Sequence, residues 1–237
     1  MYRNILVFDV ETTGLIPKKN PITKEYCPIE EMPHIIQLSF IIYNTIEHRV
    51  IRYYNSYIRL DNLELISDEI TQLTGISRSI CEERGTHINN ALIELWNAYK
   101  THADIVVSHN MYFDKCMVRT EIKRNLSTLE TICPGIGRMF YEEENQGEVR
   151  RPELLCTMMS SIHICNLWRE SPNGKMFKKF PKLIELYREL FHETPENLHN
   201  SLVDSVATLR CFLKIRMKHD MHTAKYRHIV KTAMKLV

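Results

Sequence analysis

Three runs rich in β-branched and aromatic residues dominate the first 60 positions, and they restrict the fold of this chain more than any other feature. They are residues 4–10 (NILVFDV), 34–45 (HIIQLSFIIYNT) and 49–60 (RVIRYYNSYIRL). Only the short polar link of residues 46–48 separates the second run from the third, as between the two strands of a hairpin. We therefore predict three consecutive strands that form an antiparallel meander.

The remainder of the chain favours helices and at least one further strand. Apolar residues at helical spacing, which predict helices, cover residues 86–99, 113–126, 181–192 and 200–218. A fourth β-type run, residues 104–108, follows the first of these helices. Residues 127–151 are interrupted by prolines, glycines and glutamates, so we predict a long surface connection there. Strands first and helix–strand alternation afterwards indicate an α/β fold, with a mixed sheet covered by helices.

Composition excludes several classes of protein. The 237 residues are 44% hydrophobic and 25% charged, as in one ordinary globular domain and unlike a disordered chain. The first apolar run is too short for a secretory signal, and no stretch is long enough to span a bilayer, so we expect no membrane association. The seven cysteines are scattered without a C-x-x-C pair, which favours reduced thiols. We therefore expect an intracellular, cytoplasmic location, with a nuclear location also compatible.

Charge is distributed unevenly along the chain, whose formal net charge is +2. Residues 214–237 contain seven Lys or Arg and one Asp, which gives this segment +6 and leaves −4 for residues 1–213. An acidic body that binds cations, beside a basic segment that binds phosphates, would suit an enzyme of nucleic acids, although a solvated helix end explains the basic segment equally well. We divide the chain into a domain of residues 1–218 and a basic C-terminal tail of residues 219–237.

Two carboxylates end the first predicted strand. Asp9 and Glu11 are two residues apart, so the alternation of a strand puts both side chains on one face. Unpaired acids in this position repel each other and lose hydration unless a cation or basic side chains meet them. For this pair alone, a ligand-binding site and a salt-bridged strand end are equal alternatives.

Two later segments place similar residues at the ends of other elements. Asp114 follows the fourth strand at the start of a helix, where an acid also satisfies the helix dipole. His199 lies at the entrance of the last long helix, and Asp204 follows five residues later. Carboxylates are hard ligands for Mg²⁺ or Mn²⁺, and histidine, with an unperturbed pKa of about 6.5, accepts a water proton near neutral pH. The ordered set predicts two-metal phosphodiester hydrolysis.

The turn after the first strand is rich in hydroxyl groups. Thr12 and Thr13 precede Gly14 and Leu15, and a glycine lets the backbone approach a ligand closely. A nucleotide-binding turn and an ordinary turn both fit this stretch when it is considered alone.

In this order, the motifs resemble those of the DEDDh 3′→5′ exonuclease family, which includes the proofreading epsilon subunit of bacterial DNA polymerase III, ribonuclease T and oligoribonuclease. The first motif is residues 7–15 (VFDVETTGL), the second is residues 108–114 (SHNMYFD), and the third runs from His199 to Asp204. The resemblance covers nearly the whole chain and is greatest to epsilon-type members. It implies a ribonuclease H-like fold, whose five-stranded mixed sheet combines a three-stranded antiparallel meander with parallel strands.

The resemblance also implies roles for individual residues. Those that would hold two Mg²⁺ ions, for which Mn²⁺ can substitute, are Asp9, Glu11, Asp114 and Asp204. His199 would be the general base. Those that would bind the terminal nucleotide are Thr12, Thr13, Leu15 and Asn110.

The expected activity is hydrolysis of phosphodiester bonds at nucleic-acid 3′ ends, which releases nucleoside 5′-monophosphates in proofreading, repair or turnover. Single-stranded or mismatched DNA is the expected substrate, and the likeness to the epsilon subunit adds a DNA polymerase as a partner. Two alternatives stay open, an RNA-directed exonuclease of the same fold and a catalytically silent module that binds nucleic acid or a polymerase. Silent versions are expected to lose an acid or the histidine, and this chain has all five.

Overall fold

The structure, a computed structural model, describes residues 2–18, 27–141, 151–195, 197–221 and 228–231. The strands of the main sheet are β1 (Asn4–Thr12), β2 (Ile35–Asn44), β3 (Arg49–Tyr57), β4 (Ile105–Ser108) and β5 (Glu153–Cys156). A separate two-stranded sheet consists of β6 (Trp168–Glu170) and β7 (Met176–Lys178). The helices are α1 (Asp68–Thr74), α2 (Arg78–Arg84), α3 (Ile88–Thr101), α4 (Met111–Arg124), α5 (Leu126–Ile132), α6 (Thr157–Ser160), α7 (Ile162–Cys165), α8 (Leu183–Phe191) and α9 (Ser201–Met217).

The main sheet has the strand order β3-β2-β1-β4-β5. Strands β1, β2 and β3 are antiparallel neighbours, whereas β4 pairs in parallel with β1 and with β5. The predicted α/β fold, with a five-stranded mixed sheet and a three-stranded meander, is therefore confirmed. Because β1 is the middle strand, Asp9 and Glu11 lie in the centre of the sheet, between β2 and β4.

The alternation of β1 divides the interior into two hydrophobic cores. Leu6 and Phe8 point to one face of the sheet, where they pack with residues of α3 and α4. Ile5 and Val7 point to the other face, where they pack with α8 and α9. Asp9 and Glu11 continue the Ile5–Val7 register toward the end of β1, so both acids face the side of the sheet that α9 covers.

The prediction of a surface connection over residues 127–151 is wrong for its first half. That part contains most of α5 and a short 3-10 turn, Ile136–Arg138. Leu129, Ile136 and Phe140 are fully buried, and the Phe140 ring stacks on Phe8 with 5.3 Å between ring centroids. The apolar residues of this segment are separated by glycine and proline, so they show no regular period although they belong to the core. Residues 142–150 lie outside the described residues.

The described parts of the basic tail contact the domain. Met221 and Val230 are buried in the core that α9 covers, and the Asp220 carboxylate forms an ion pair with Arg210. Residues 222–227 and 232–237 lie outside the described residues, and the division of the chain at residue 218 stays a prediction. None of the helices in the described part of the chain has the length and apolar character needed to cross a membrane.

Candidate functional site

Three of the predicted carboxylates converge at the end of β1. Asp9 and Glu11 come from β1, and Asp204 is the fourth residue of α9, which covers the same face of the sheet. One oxygen from each of the three side chains lies within 4.8 Å of the others. The structure therefore brings together residues that are separated by more than 190 positions in the chain.

Asp114, the fourth predicted ligand, lies beside this group, but its carboxylate is hydrogen-bonded to the protein. It is the fourth residue of α4 and is buried. Its Oδ1 accepts a hydrogen bond from the Val10 backbone N–H at 3.3 Å, and its Oδ2 accepts one from the Ser108 hydroxyl at 2.8 Å. Both oxygens therefore already have protein partners, and Asp114 fixes the start of α4 to β1 between Asp9 and Glu11.

Burial raises the pKa of all four carboxyl groups, and repulsion adds to the rise for Asp9, Glu11 and Asp114. Burial is the main cause of the raised pKa of Asp9, and the other three carboxylates add to it. Burial, and then repulsion by Asp204 and Asp114, raise the pKa of Glu11 to about 8. Burial raises the pKa of Asp114 and that of Asp204 to about 7, although hydrogen bonds to each oppose the rise. The site therefore holds its negative charge poorly at neutral pH unless a cation is present.

The donor set fits a hard divalent cation. The Oδ1 atom of Asp204 is buried and has no hydrogen-bond partner among the described residues. Such an oxygen costs free energy unless a ligand compensates for its lost hydration. Three clustered carboxylates are also the donors that Mg²⁺ and Mn²⁺ prefer. The orphaned oxygen and the raised pKa values therefore have one common explanation in a bound cation.

A buried polar network positions α9 over β1. Glu11 lies opposite Gln37 on β2, and Asp9 lies opposite Ser39; opposite residues of an antiparallel pair project to the same face. The Gln37 Oε1 accepts a hydrogen bond from the Ser201 backbone N–H at 3.1 Å, and the hydroxyls of Ser39 and Ser201 are 2.6 Å apart. Asp204 is one helical turn beyond Ser201, so this network sets its distance from the β1 acids.

Gln37 also joins the network to the next strand. Its Nε2 donates to the Asn55 Oδ1 at 2.8 Å, and the Ser39 hydroxyl donates to the same oxygen at 2.6 Å. Sequence reasoning did not identify Gln37 or Ser39. The signal that was available is two polar residues, both fully buried, inside a strand that is otherwise almost entirely apolar.

Replacing Gln37 with methionine is expected to weaken metal binding and to lower the stability of the protein. The Ser201 N–H would lose its acceptor, which costs about 1–3 kcal/mol for a buried donor, and Asp204 would lose its fixed position. We expect a higher Mg²⁺ concentration for half-maximal activity and a lower melting temperature. The matched control is Asn44→Leu at the other end of β2, where the Asn44 side chain binds the Asn4 side chain and two backbone N–H groups. An equal shift in metal dependence for both variants would contradict a positioning role for Gln37.

His199 lies next to the carboxylates, and its side chain is exposed. Its backbone N–H donates to the Asp204 Oδ2 at 3.1 Å, and its φ of 69° is in the left-handed region. Asn197, two residues earlier, also has a positive φ of 58°. Such conformations are uncommon for residues other than glycine and are found disproportionately at functional sites. The turn therefore holds an exposed imidazole at the edge of the acidic cluster.

The predicted nucleotide-binding residues lie in two groups around this edge. The Thr12 hydroxyl donates to the Gly14 carbonyl at 2.7 Å, and the Thr13 hydroxyl accepts from the His34 N–H at 2.9 Å, so both shape the turn. Leu15 follows them with 84% of its surface exposed. Asn110 has a φ of 78° and directly precedes α4, but its side chain makes no capping hydrogen bond to the helix. Leu15 and Asn110 therefore present side chains that the fold does not require for packing or capping.

Residues 6–212 match the RNase_T family, which is described as exonuclease, and this range contains every predicted site residue. The chain belongs to this exonuclease family. No curated protein sequence matches it.

The fold of this exonuclease domain resembles that of solved exonuclease I structures. Escherichia coli exonuclease I in complex with a dT13 oligonucleotide has a TM-score of 0.58 and 16% identity, over 91% of this chain and 42% of that chain. The zinc-bound complex of the E. coli enzyme with single-stranded DNA has a TM-score of 0.58 and 16% identity, over 99% and 45%. Exonuclease I from Methylocaldum szegediense has a TM-score of 0.55 and 18% identity, over 97% and 43%. The chain thus shares their fold and spans less than half of their length.

Proposed function

We propose that this exonuclease domain is a DEDDh-type 3′→5′ enzyme, which hydrolyses the terminal phosphodiester bond of DNA and releases nucleoside 5′-monophosphates. The observation that carries this proposal is the convergence of Asp9, Glu11 and Asp204, with one oxygen from each within 4.8 Å of the others. Their raised pKa values and the orphaned Asp204 oxygen favour cation binding over a salt-bridged strand end. Family membership supports the same class of chemistry.

Two divalent ions, Mg²⁺ with Mn²⁺ as a substitute, are the proposed cofactors. Asp9, Glu11 and Asp204 would hold them directly. When bound, such ions stabilise the charge on the attacking and leaving oxygens of an in-line displacement. Asp114 already accepts two hydrogen bonds from the protein, which suits an indirect role through water.

His199 is the proposed general base. Its side chain is exposed, and its backbone N–H donates a hydrogen bond to Asp204. The imidazole is therefore available to a water molecule beside the acidic cluster. A neutral imidazole in that position takes a proton from the attacking water as the bond to phosphorus forms.

The terminal nucleotide would lie between Leu15 and Asn110, with Thr12 and Thr13 shaping its turn. A base that fits there must be separated from its complement, which costs a few kcal/mol in a duplex and least at a mismatch. We therefore propose single-stranded or mismatched 3′ ends as substrates, in proofreading, repair or turnover. DNA is favoured over RNA by the motif likeness and by the DNA oligonucleotides bound to the exonuclease I neighbours. We also propose a DNA polymerase as a partner, on the motif likeness alone. We propose an intracellular location on the scattered cysteines alone.

The test is a matched set of oligonucleotides with a label at either end. Single-stranded DNA, fully paired duplex, duplex with a terminal mismatch and RNA of the same sequence are incubated with Mg²⁺, Mn²⁺ or EDTA. We expect mononucleotide release from 3′-labelled single strands with either metal and none with EDTA, and slower release from paired ends. Faster hydrolysis of the RNA would overturn the DNA assignment, and release from the 5′ label first would overturn the polarity.

A further inference from the structure

A small hairpin outside the main sheet exposes several large apolar side chains. We call residues 166–182, which contain β6 and β7, the aromatic hairpin. Trp168 is 53% exposed, Phe177 is 43% exposed and Phe180 is 54% exposed, and Met176 in β7 is 52% exposed. Single exposed apolar residues are ordinary, but a group of this size within one short segment marks a contact surface.

The aromatic hairpin is also strongly basic. It contains five Lys or Arg and one Glu, in a chain whose total formal charge is only +2. Trp168 lies directly opposite Lys178 in the two-stranded sheet, and the Lys178 Nζ is 5.5 Å from the centroid of the Trp168 ring. The same Nζ is 3.3 Å from the His163 Nδ1 on α7. An aromatic face with cations beside it accepts a stacked base and its phosphate, which is how proteins hold single-stranded nucleic acid.

Hydrogen bonds join the end of the aromatic hairpin to the candidate active site. The His109 Nε2 lies 3.1 Å from the Pro181 carbonyl oxygen. A carbonyl only accepts, so Nε2 carries the proton, and Nδ1 accepts from the Thr157 hydroxyl 3.0 Å away. Burial holds this imidazole neutral by lowering the pKa of His109 to about 4. His109 directly precedes Asn110, so the hairpin is fixed next to the proposed pocket of the terminal nucleotide.

From these observations we propose that the aromatic hairpin binds the single strand on the 5′ side of the terminal nucleotide. Trp168 stacks on a base, and Lys178 contacts a phosphate. This inference rests on the proposed function and adds to it a second contact, which holds a longer strand while its 3′ end is at the carboxylates. Lys179 is ion-paired with Glu185 on α8, and the four other cations of the hairpin still outnumber its one Glu. This excess of positive charge favours a polyanion as the occupant.

The first measurement is binding without turnover. The chain has two tryptophans, and Trp96 is only 7% exposed, so Trp168 is the one that a ligand can reach. We expect an oligothymidylate of about 15 nucleotides, the upper range of a single-strand binding site, to quench tryptophan fluorescence in EDTA. Trp168→Ala should abolish the quenching. Quenching that depends on protein concentration without oligonucleotide would instead show self-association and overturn the proposal.

The second measurement is kinetic and uses two substrates with Mg²⁺. The p-nitrophenyl ester of thymidine 5′-monophosphate reports on the carboxylates and on the pocket of the terminal nucleotide, and the oligothymidylate also reports on the aromatic hairpin. Trp168→Ala should raise the KM for the oligomer roughly ten-fold, as for the loss of one stacked base, and leave ester hydrolysis unchanged. Lys178→Ala should reduce the slope of log KM against log salt concentration by about 0.7, the value for one contact with a single strand.

The matched control is Phe177→Ala, because Phe177 pairs with Arg169 and points to the other face of the same hairpin. Equal KM increases for Trp168→Ala and Phe177→Ala would show a general loss of hairpin structure and overturn the assignment to the Trp168 face. Oligomer KM and salt slope equal to wild type in both the Trp168 and Lys178 variants would also overturn it. Failure of ester hydrolysis in the wild type would count against the proposed function, whereas the fluorescence result is independent of turnover.

Discussion

Asp204→Asn is expected to abolish hydrolysis and at the same time to stabilise the metal-free protein. Loss of one carboxylate from the cluster removes a ligand whose charge complements the metal pair, and we expect turnover to fall by at least about 10³-fold, the upper end of the effect of one lost electrostatic contact. Stability should change in the opposite direction, because burial of its charge raises the pKa of Asp204, and because its carboxylate adds repulsion to the burial that raises the pKa of Glu11. Hydrolysis assays and melting curves in EDTA measure both effects.

The sign of the stability change follows from how the free energy of unfolding of the metal-free protein depends on pH. Carboxyl groups in an unfolded chain titrate near pH 4, whereas the folded site titrates at about pH 7 to 8. The folded state therefore binds more protons between these values, and the wild type in EDTA should lose stability as pH rises from about 4 to 8. One pKa unit of relief is about 1.4 kcal/mol, or roughly 3–6 °C in melting temperature for a chain of this size.

Asp204→Asn should therefore melt above the wild type at pH 8 in EDTA and level with it near pH 4. Mg²⁺ should raise the melting temperature of the wild type most at pH 8 and have little effect on the variant. Glu121→Gln is the matched control, because Glu121 is also buried but pairs with Arg124, and its substitution should destabilise the protein. A variant that melts below the wild type at pH 8 in EDTA would refute the view that the buried, mutually repelling charges destabilise the metal-free site.

His199→Ala is expected to lower kcat by about 10²–10⁴-fold, the usual effect of losing a general base. Metal dependence should change little, because the backbone N–H that donates to Asp204 remains. The decisive readout is rescue, since added imidazole should restore part of the turnover to His199→Ala. The carboxyl groups also titrate near neutrality in the metal-free site, so a change in the pH profile alone is a weaker measurement.

His192→Ala provides the control for the histidine prediction. His192 is also exposed and also has a positive φ, 55°, where it ends α8. It should retain wild-type turnover and gain nothing from imidazole. If His199→Ala keeps the wild-type rate, or if imidazole has the same effect on both variants, then His199 is only a turn residue at the start of α9.

Local patterns in the sequence predicted most of the fold. The β-branched runs placed β1, β2 and β3 within a few residues of their ends, and helical spacing located α3, α4, α8 and α9 in the same way. The prediction was wrong for residues 127–141, where the apolar residues have no regular spacing, and it located neither β5 nor the aromatic hairpin. Strands of three or four residues are too short to show a period. The sequence revealed β4 through its β-branched residues, whereas β5 (ELLC) has none.

For the candidate site, the sequence by itself determined the chemistry of the donors and one geometric relation. Asp9 and Glu11 share a face of β1 because successive side chains of any strand alternate. The tertiary structure alone decided that Asp204 meets them, since this depends on the network of Gln37, Ser39 and Ser201 between β2 and α9. It also decided the raised pKa values, because desolvation and repulsion depend on how deeply the groups are buried and on which acids are neighbours. The alternation of side chains repeats along any strand, so it can be predicted from the sequence. The contact between β1 and α9 joins residues that are far apart in the chain, so it cannot be.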